Sequence, residues 1–274
     1  MTKESPVSDK AQRREEARQK ALQLQQEQLK REKRSRLIIL SAIVVGAILL
    51  GGLIYFILSK APSDLAGIEK LPSDVTAPAV AEADGAIIFA ADGVDEATTP
   101  VLDVYLDFMC NHCATFEQVN AEYIGKAVAD GDIIYRAHPI SILGSQHATK
   151  IASTFVALAD TATQEQALAF AAEGFARQNS AGLTAQQMQD IAVSLGVDEK
   201  VAKEAASGKY ERFIEAASQI TLNNKSLRDE KGGFGTPSVF INGERSDVNW
   251  SDPAGLPAAI QTAAEAMVEG PATE

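Results

Sequence analysis

Residues Val101–Cys113 have the sequence VLDVYLDFMCNHC and contain both cysteines of the chain. The first eight residues alternate apolar and polar side chains, which is the pattern of a β-strand. The residues that follow, ATFEQVNAEYIGKAV, are mostly good helix formers, so Cys110 is expected at or just before a helix N-terminus. Unpaired backbone N–H groups and the helix dipole favour a thiolate there. Cys113 comes round to the same side of the first turn, close enough to close a small disulfide ring.

The sequence around this junction predicts one layered domain over residues 86–274. With 46% hydrophobic and 23% charged residues, the 274-residue chain is not disordered as a whole. Strand-like runs at both ends of the domain enclose a helical insertion over about 145–227, which indicates an α/β or α+β fold. The strand-like runs are 86–90, 101–108, 133–137 and 238–242, and the helical stretches are 146–160, 163–177, 184–195, 198–227 and 256–268.

An apolar segment of 22 residues, Leu37–Leu58, precedes this domain. As a helix it would extend roughly 33 Å, about the hydrocarbon thickness of a bilayer. We predict a transmembrane helix that acts as an uncleaved signal anchor, because its apolar core and leader are long and no convincing cleavage site follows directly. Residues 59–85, rich in Ala, Asp and Pro, are predicted to form a semi-extended linker.

The charge differs on the two sides of the apolar segment. Residues 1–36 carry 11 basic and 6 acidic side chains, a net charge of +5, and are predicted to be a basic cytoplasmic segment that also attracts membrane lipid. Basic flanks stay on the cytoplasmic side, so residues 60–274 are expected outside a single-pass cell membrane protein. The rest of the chain carries 14 basic and 31 acidic side chains, which argues against nucleic-acid binding.

Three other interpretations of the cysteine pair fit less well than redox chemistry. A structural disulfide would usually close a longer loop, since so short a ring removes little entropy from the unfolded chain. A zinc site needs about four ligands, and His112, His138 and His147 are not spaced like a zinc finger. Two inert buried thiols would be unusual outside the membrane, where thiols tend to oxidise.

Disulfide exchange requires an attacking thiolate and a second thiol that resolves the mixed disulfide. Cys110 suits the first role and Cys113 the second. His112 lies between them, and as a cation or hydrogen-bond donor it would stabilise the Cys110 thiolate and make the disulfide a stronger oxidant. His138 and His147 look structural or exposed and are assigned no role.

A second motif, GTPSVFING at Gly235–Gly243, begins a strand with a proline. Together with Val101–Cys113 it resembles the DsbA-like thiol:disulfide oxidoreductases of the thioredoxin superfamily, in a membrane-anchored bacterial form, over residues 85–270. The resemblance implies a thioredoxin-like sheet with an inserted helical subdomain and no cofactor or metal. It also implies that Pro237 is cis and faces the cysteines, and that Thr236 and Pro237 bind substrate.

Two positions depart from the pattern of this family. Asn111 follows the first cysteine where the family often has proline. Many members carry an acid six residues before that cysteine, where this chain has Val104. Asp107 matches another frequent family acid and Asp103 is shifted by one residue, so it is open whether Asp107, Asp103 or neither assists Cys113.

The resemblance and the predicted location together favour an oxidase of exported proteins that carry free thiols. Such an enzyme would be reoxidised by a membrane redox partner, which family analogy gives as the DsbB or VKOR type. One alternative is an extracytoplasmic reductase or isomerase, which would require a low reduction potential. The other is a non-catalytic tethered module that binds extended peptides.

Overall fold

The computed structural model describes residue 65 and residues 67–269. The predicted basic segment 1–36 and transmembrane helix 37–58 lie outside these residues. Within the described part of the chain, no helix is both long and apolar enough to span a membrane. The chain divides into two units, and all the features below belong to the second, Leu65–Glu274.

A mixed five-stranded sheet with the order β1-β3-β2-β4-β5 forms the centre of this unit. The central strand β2 is parallel to β3 and antiparallel to β4, with Leu102 opposite both Tyr135 and Ile241. β1 pairs antiparallel with β3, and β5 pairs antiparallel with β4. The strands are β1 Ile87–Phe89, β2 Val101–Leu106, β3 Ile134–Pro139, β4 Ser238–Ile241 and β5 Glu244–Arg245.

Helices surround the sheet, and several begin with side-chain caps that the sequence supplies. Thr163 and Thr184 each form a capping box with a glutamine three residues later, which satisfies free backbone N–H groups. The helices are α1 Asn111–Asp130, α2 Gln146–Thr161, α3 Gln164–Ala176, α4 Ala185–Ser194, α5 Glu199–Ala205, α6 Glu211–Asn223 and α7 Gly255–Glu269.

The predicted single helix over 198–227 is wrong, because the chain breaks between α5 and α6. Gly208 has a φ of 85°, a left-handed conformation that L residues rarely adopt. A Cβ at this position would lie 2.3 Å from Oε1 of Glu211. A short 3₁₀ helix, Lys225–Leu227, follows α6.

Both faces of β2 are covered, although its alternating sequence is that of a strand with one polar face. Val104 packs into the main core on one face. On the other face Tyr105 joins a smaller cluster with Ile140, Leu227 and Phe240. Burial on both sides makes β2 the rigid centre of the sheet, so the residues after its end are firmly positioned.

The segment before β1 packs against the domain from Leu65 onward, so the linker predicted over 59–85 is wrong in its second part. Leu65 and Val75 are buried in the main core. Arg136 on β3 forms ion pairs with Asp84, at 2.8 Å between Nη2 and Oδ2, and with Glu82. We call residues 67–85 the N-terminal arm. Alanine and proline dominate the composition of this region, so the few apolar side chains that pack into the core did not stand out in the sequence.

Candidate active site

Cys110 is the N-cap of α1, as its position after a strand predicts. Its backbone N–H donates to the carbonyl oxygen of Asp107 at 2.9 Å, and its carbonyl accepts from Ala114 at 3.1 Å. The sulfur therefore lies beside the unpaired N–H groups of the first helical turn. This position supplies the partial positive charge that a thiolate needs.

Both cysteines are free thiols, and their environments push their pKa values apart. The pKa of Cys110 is lowered to about 5, chiefly by a hydrogen bond from the Cys113 thiol, and burial opposes this effect. The Thr236 side chain and the backbones of Cys113 and His112 lower it further. The pKa of Cys113 is strongly raised, first by burial and next by its hydrogen bond to Cys110. Cys110 thus ionises more readily than Cys113, which keeps its proton.

The Thr236–Pro237 peptide bond is cis, as the resemblance implies. Antiparallel pairing of Tyr105 on β2 with Ser238 on β4 brings this bond to the end of the central strand. In its thiol form Cys110 donates from Sγ to the carbonyl oxygen of Thr236 at 3.2 Å, across 126 residues of sequence. The structure therefore brings together both cysteines and the Thr236–Pro237 segment.

Comparison with known proteins places this fold and site in a family. The sequence model of the thioredoxin family matches residues 93–262, more than half of the chain. The chain belongs to the thioredoxin family. A comparison with curated protein sequences finds no match.

Two of the solved structures similar to this thioredoxin-family chain are named as thiol–disulfide oxidoreductases, and a third is named DsbA. MdbA from Corynebacterium diphtheriae has 22% sequence identity and a TM-score of 0.56, over 73% of this chain and 99% of that chain. MdbA from Actinomyces oris has 23% identity and a TM-score of 0.56, over 74% and 97%. Reduced DsbA from Mycobacterium tuberculosis has 22% identity and a TM-score of 0.53, over 67% and 94%. At these identities the likeness shows the fold, which confirms the predicted thioredoxin-like α/β domain and agrees with the predicted enzyme class.

His112, the third predicted catalytic residue, has an exposed side chain. Its backbone helps to lower the pKa of Cys110. The role predicted from the sequence depended instead on the imidazole, as a cation or hydrogen-bond donor to the Cys110 thiolate. The contribution that the structure shows comes from the backbone N–H at the helix N-terminus, which any residue other than proline at this position would supply.

The two acids considered for Cys113 have other partners in this thioredoxin fold. Asp107 is fully buried, and its carboxylate accepts hydrogen bonds from backbone N–H groups. The donors are Met109 at 2.8 Å, Ile142 at 2.9 Å and Leu143 at 3.1 Å. Asp107 thus joins the turn before Cys110 to the loop between β3 and α2.

Asp103 belongs to a polar cluster on the face of the sheet that carries Tyr105. Its Oδ1 lies 2.8 Å from Nε2 of His138 and 3.5 Å from Nε of Arg136. His138 is buried and stacks on the Tyr105 ring at a centroid distance of 3.9 Å. Burial and the nearby Asp103 charge raise the pKa of Tyr105. His138 is therefore structural, as the sequence suggested.

Sequence reasoning missed Glu117 and Gln178. Glu117 lies on α1 one turn after Cys113, is buried among aromatic rings, and burial raises its pKa to about 7. The Gln178 side chain donates from Nε2 to the carbonyl oxygen of Phe108 at 2.8 Å, two residues before Cys110. Spacing gave a signal for Glu117, because residues four apart share a helix face. For Gln178 the sequence contains no such signal, because its hydrogen-bond partner lies 70 residues away.

The zinc interpretation finds no support in the described part of the chain. No group of three or more His, Cys, Asp and Glu side chains there is arranged to hold a metal ion. His147 lies in the first turn of α2, where its backbone N–H donates to the hydroxyl of the N-cap residue Ser145 at 3.2 Å.

Proposed function

We propose that the protein is an extracytoplasmic thiol:disulfide oxidoreductase that oxidises thiols of exported proteins through a Cys110–Cys113 disulfide. The contrast between the two cysteines carries the proposal. A stabilised Cys110 thiolate favours the reduced pair, and a stable reduced pair makes the corresponding disulfide a strong oxidant.

The reaction begins with the disulfide form of the enzyme. A client thiolate attacks Cys110, a client–Cys110 bond forms, the Cys110–Cys113 bond breaks, and its electron pair leaves on Cys113, which takes a proton. A second client thiolate, and not Cys113 as the sequence suggested, then attacks the client sulfur and releases Cys110 as a thiolate, because attack by Cys113 would return the client in its reduced form. Two electrons pass from the client to the enzyme, and a client disulfide is the product.

Substrate approach follows from the position of the Thr236–Pro237 segment beside Cys110. The partly exposed backbone there offers hydrogen-bonding groups to an extended client chain. Thr236 and Pro237 thus act as substrate-binding residues, and the thiolate released at Cys110 is held by the Thr236 side chain and the backbone of α1.

The location and the partners are also part of the proposal. The apolar segment Leu37–Leu58 and its basic flank support a single-pass anchor with the redox domain outside. An oxidase must lose its two electrons after each cycle. A membrane redox partner of the DsbB or VKOR type would accept them, and the basic flank would contact anionic lipid.

The first experiment measures the reduction potential of the full-length chain in detergent, equilibrated in graded glutathione buffers, with Cys110→Ser as the control. We expect a value near the DsbA end of a scale from about −270 mV for thioredoxin to about −120 mV for DsbA. A value near that of thioredoxin would instead support a reductase or isomerase. A pair that never equilibrates with glutathione would support a non-catalytic peptide-binding module.

A further inference from the structure

A groove separates α1 from α3, two helices that pack against each other. We call it the α1–α3 groove. Its volume is about 640 Å³, within the range of about 300–1,000 Å³ that is usual for binding sites. Most of the residues that line it are alanine or glycine, together with the larger apolar side chains of Val128 and Leu168. Gly125, in the middle of the α1 wall, lies about 22 Å along the helix axis from Cys110. The groove is therefore separate from the redox site.

Gly125 is not required by the packing of the domain. Glycine is a poorer helix former than alanine, and this one lies in the interior of α1. A Cβ at Gly125 would meet no atom within 4 Å. Gly174 on α3 differs, because a Cβ there would lie 3.4 Å from side-chain atoms of both Ile151 and Phe108. The glycine on α1 thus leaves open a space that a side chain of this domain could have filled.

The construction of the groove favours a helix as its occupant. Its walls are the sides of two helices, whose backbone N–H and C=O groups are bonded within each helix. An extended peptide would leave its own backbone groups unpaired there, whereas a helix satisfies them internally. Ala121, Gly125 and Ala129 occur at every fourth position of α1, so they form one wall of small residues that a third helix can approach closely.

The two walls carry unbalanced negative charge. Glu122 on α1 and Glu165 on α3 line the groove with exposed side chains. In the part of the chain that the structure describes, neither carboxylate has an ion-pair or hydrogen-bond partner. Lys126 also lines the groove, but its charge is already balanced by an ion pair with Asp130. The matching partner is therefore apolar along one face and positively charged beside it.

We propose that the α1–α3 groove is a docking site for a basic amphipathic helix of a partner protein. Apolar side chains of that helix fill the space over Gly125, and its lysines or arginines pair with Glu122 and Glu165. The site goes beyond the proposed function, because docking requires neither cysteine. A partner held there leaves Cys110 accessible, so docking raises the effective concentration of that partner for any reaction at the thiol.

The test uses the full-length protein in detergent and a synthetic helical peptide with leucines along one face and lysines on the other. A benzophenone in the leucine face labels the protein on irradiation, and mass spectrometry identifies the labelled residues. A second peptide carries glutamates in place of the lysines. We expect the lysine peptide to label residues 121–129 and 165–172, and the glutamate peptide to label them at least about fivefold less.

Variants within the groove separate its shape from its charge. Gly125→Leu fills the space and should reduce labelling about tenfold, because the leucines of the peptide lose their place. This variant should be at least as stable as the parent in urea, since leucine is the better helix former and its Cβ meets no atom within 4 Å. Glu122→Gln combined with Glu165→Gln should reduce labelling about fivefold.

Glu199→Gln combined with Glu204→Gln is the matched control for the charge variant. It removes the same charge from exposed positions on α5, and Glu199 lies in the first turn of its helix, as Glu165 does. This control should be labelled like the parent. The detergent concentration is the same in every sample, so uptake of a given peptide by micelles does not differ between the protein variants.

Three results would overturn the docking site: no labelling in the groove of the parent, equal labelling by the glutamate peptide, or unchanged labelling in Gly125→Leu. A change of oligomeric state in Gly125→Leu, measured by light scattering, would show that the groove joins two copies of this chain and would overturn it as well. None of these outcomes involves Cys110 or Cys113, so failure of this inference leaves the proposed function intact.

Discussion

At the scale of single residues, the pKa of Cys110 depends on which groups donate hydrogen bonds to its sulfur. The Thr236 side chain is one of the contacts that hold its pKa near 5. A hydrogen bond to a charged group contributes about 1.5–3 kcal/mol. The residue before the cis proline is therefore expected to tune the thiolate.

Replacing Thr236 with Val removes this hydroxyl and preserves the side-chain shape. We expect the pKa of Cys110 to rise by about one unit, because the thiolate loses a donor. The reduction potential should fall by about 30 mV, since a less stable thiolate makes the disulfide a weaker oxidant. Thiolate absorbance at 240 nm, recorded against pH, measures the first effect.

Thr115→Val is the matched control. Thr115 is exposed on α1, and its hydroxyl donates to the carbonyl oxygen of Asn111 in its own helix at 3.2 Å. This variant should titrate like the parent protein. An unchanged Cys110 titration in Thr236→Val would show that the Cys113 thiol and the backbone of α1 stabilise the thiolate without the Thr236 hydroxyl.

At the scale of elements, α1 carries a buried acid as well as the cysteines. Burial raises the pKa of Glu117 to about 7, against about 4.3 for an unperturbed glutamate. Between these values the folded state keeps a proton that the unfolded state has released. The free energy of unfolding therefore falls as the pH rises through this range and levels off above about 7.

Glu117→Gln keeps the size of the side chain and removes its ionisation. We expect the variant to be more stable than the parent by about 3 kcal/mol at pH 8, with little difference at pH 4. Urea unfolding at several pH values, followed by fluorescence of the single tryptophan, measures this difference. Glu122→Gln, an exposed position on the same helix, should follow the parent at every pH. If the free energy of unfolding of Glu117→Gln changed with pH in parallel with that of the parent, the expectation would be wrong.

The elements also show what local sequence could and could not predict. The strand–cysteine–helix junction and the strand after Pro237 were predicted correctly because their signals are contained within about a dozen residues. The break at Gly208 was missed, although a Ser-Gly pair stood in the predicted helix, because the surrounding alanines and glutamates favour helix so strongly. The partners of Asp107 in the loop before α2 and the partner of Gln178 could not be predicted, since each of these hydrogen bonds joins residues at least 35 apart.

At the scale of the whole molecule, the N-terminal arm is part of the domain. Its proline- and alanine-rich composition favoured a free linker, yet Val75 in the arm and Leu65 just before it are buried in the core. Composition could not reveal this, because a few anchors among many small residues hardly change an average. The domain that must be kept intact therefore begins at Leu65, about 20 residues before the predicted start.

Leu65→Ala tests how firmly this region is attached. We expect a loss of about 2–4 kcal/mol in the free energy of unfolding, the usual cost of a cavity in a core. Leu222→Ala, at a leucine that is partly exposed, should cost less than about 1 kcal/mol. Equal stabilities of the two variants in urea would mean that Leu65 contributes no more to the core than a partly exposed leucine does.

The contact between Cys110 and Thr236 also sets an order of events in time. The two residues lie 126 positions apart, and at about 5–20 residues per second a ribosome needs about 6–25 s to make the intervening chain. During this interval the newly made cysteines lack one of the groups that later hold the thiolate. At this stage the nascent enzyme resembles a client, because it carries two thiols that have not yet formed a disulfide. Because the chain has only two cysteines, three residues apart, the sole internal disulfide open to it at this stage is the one it later uses.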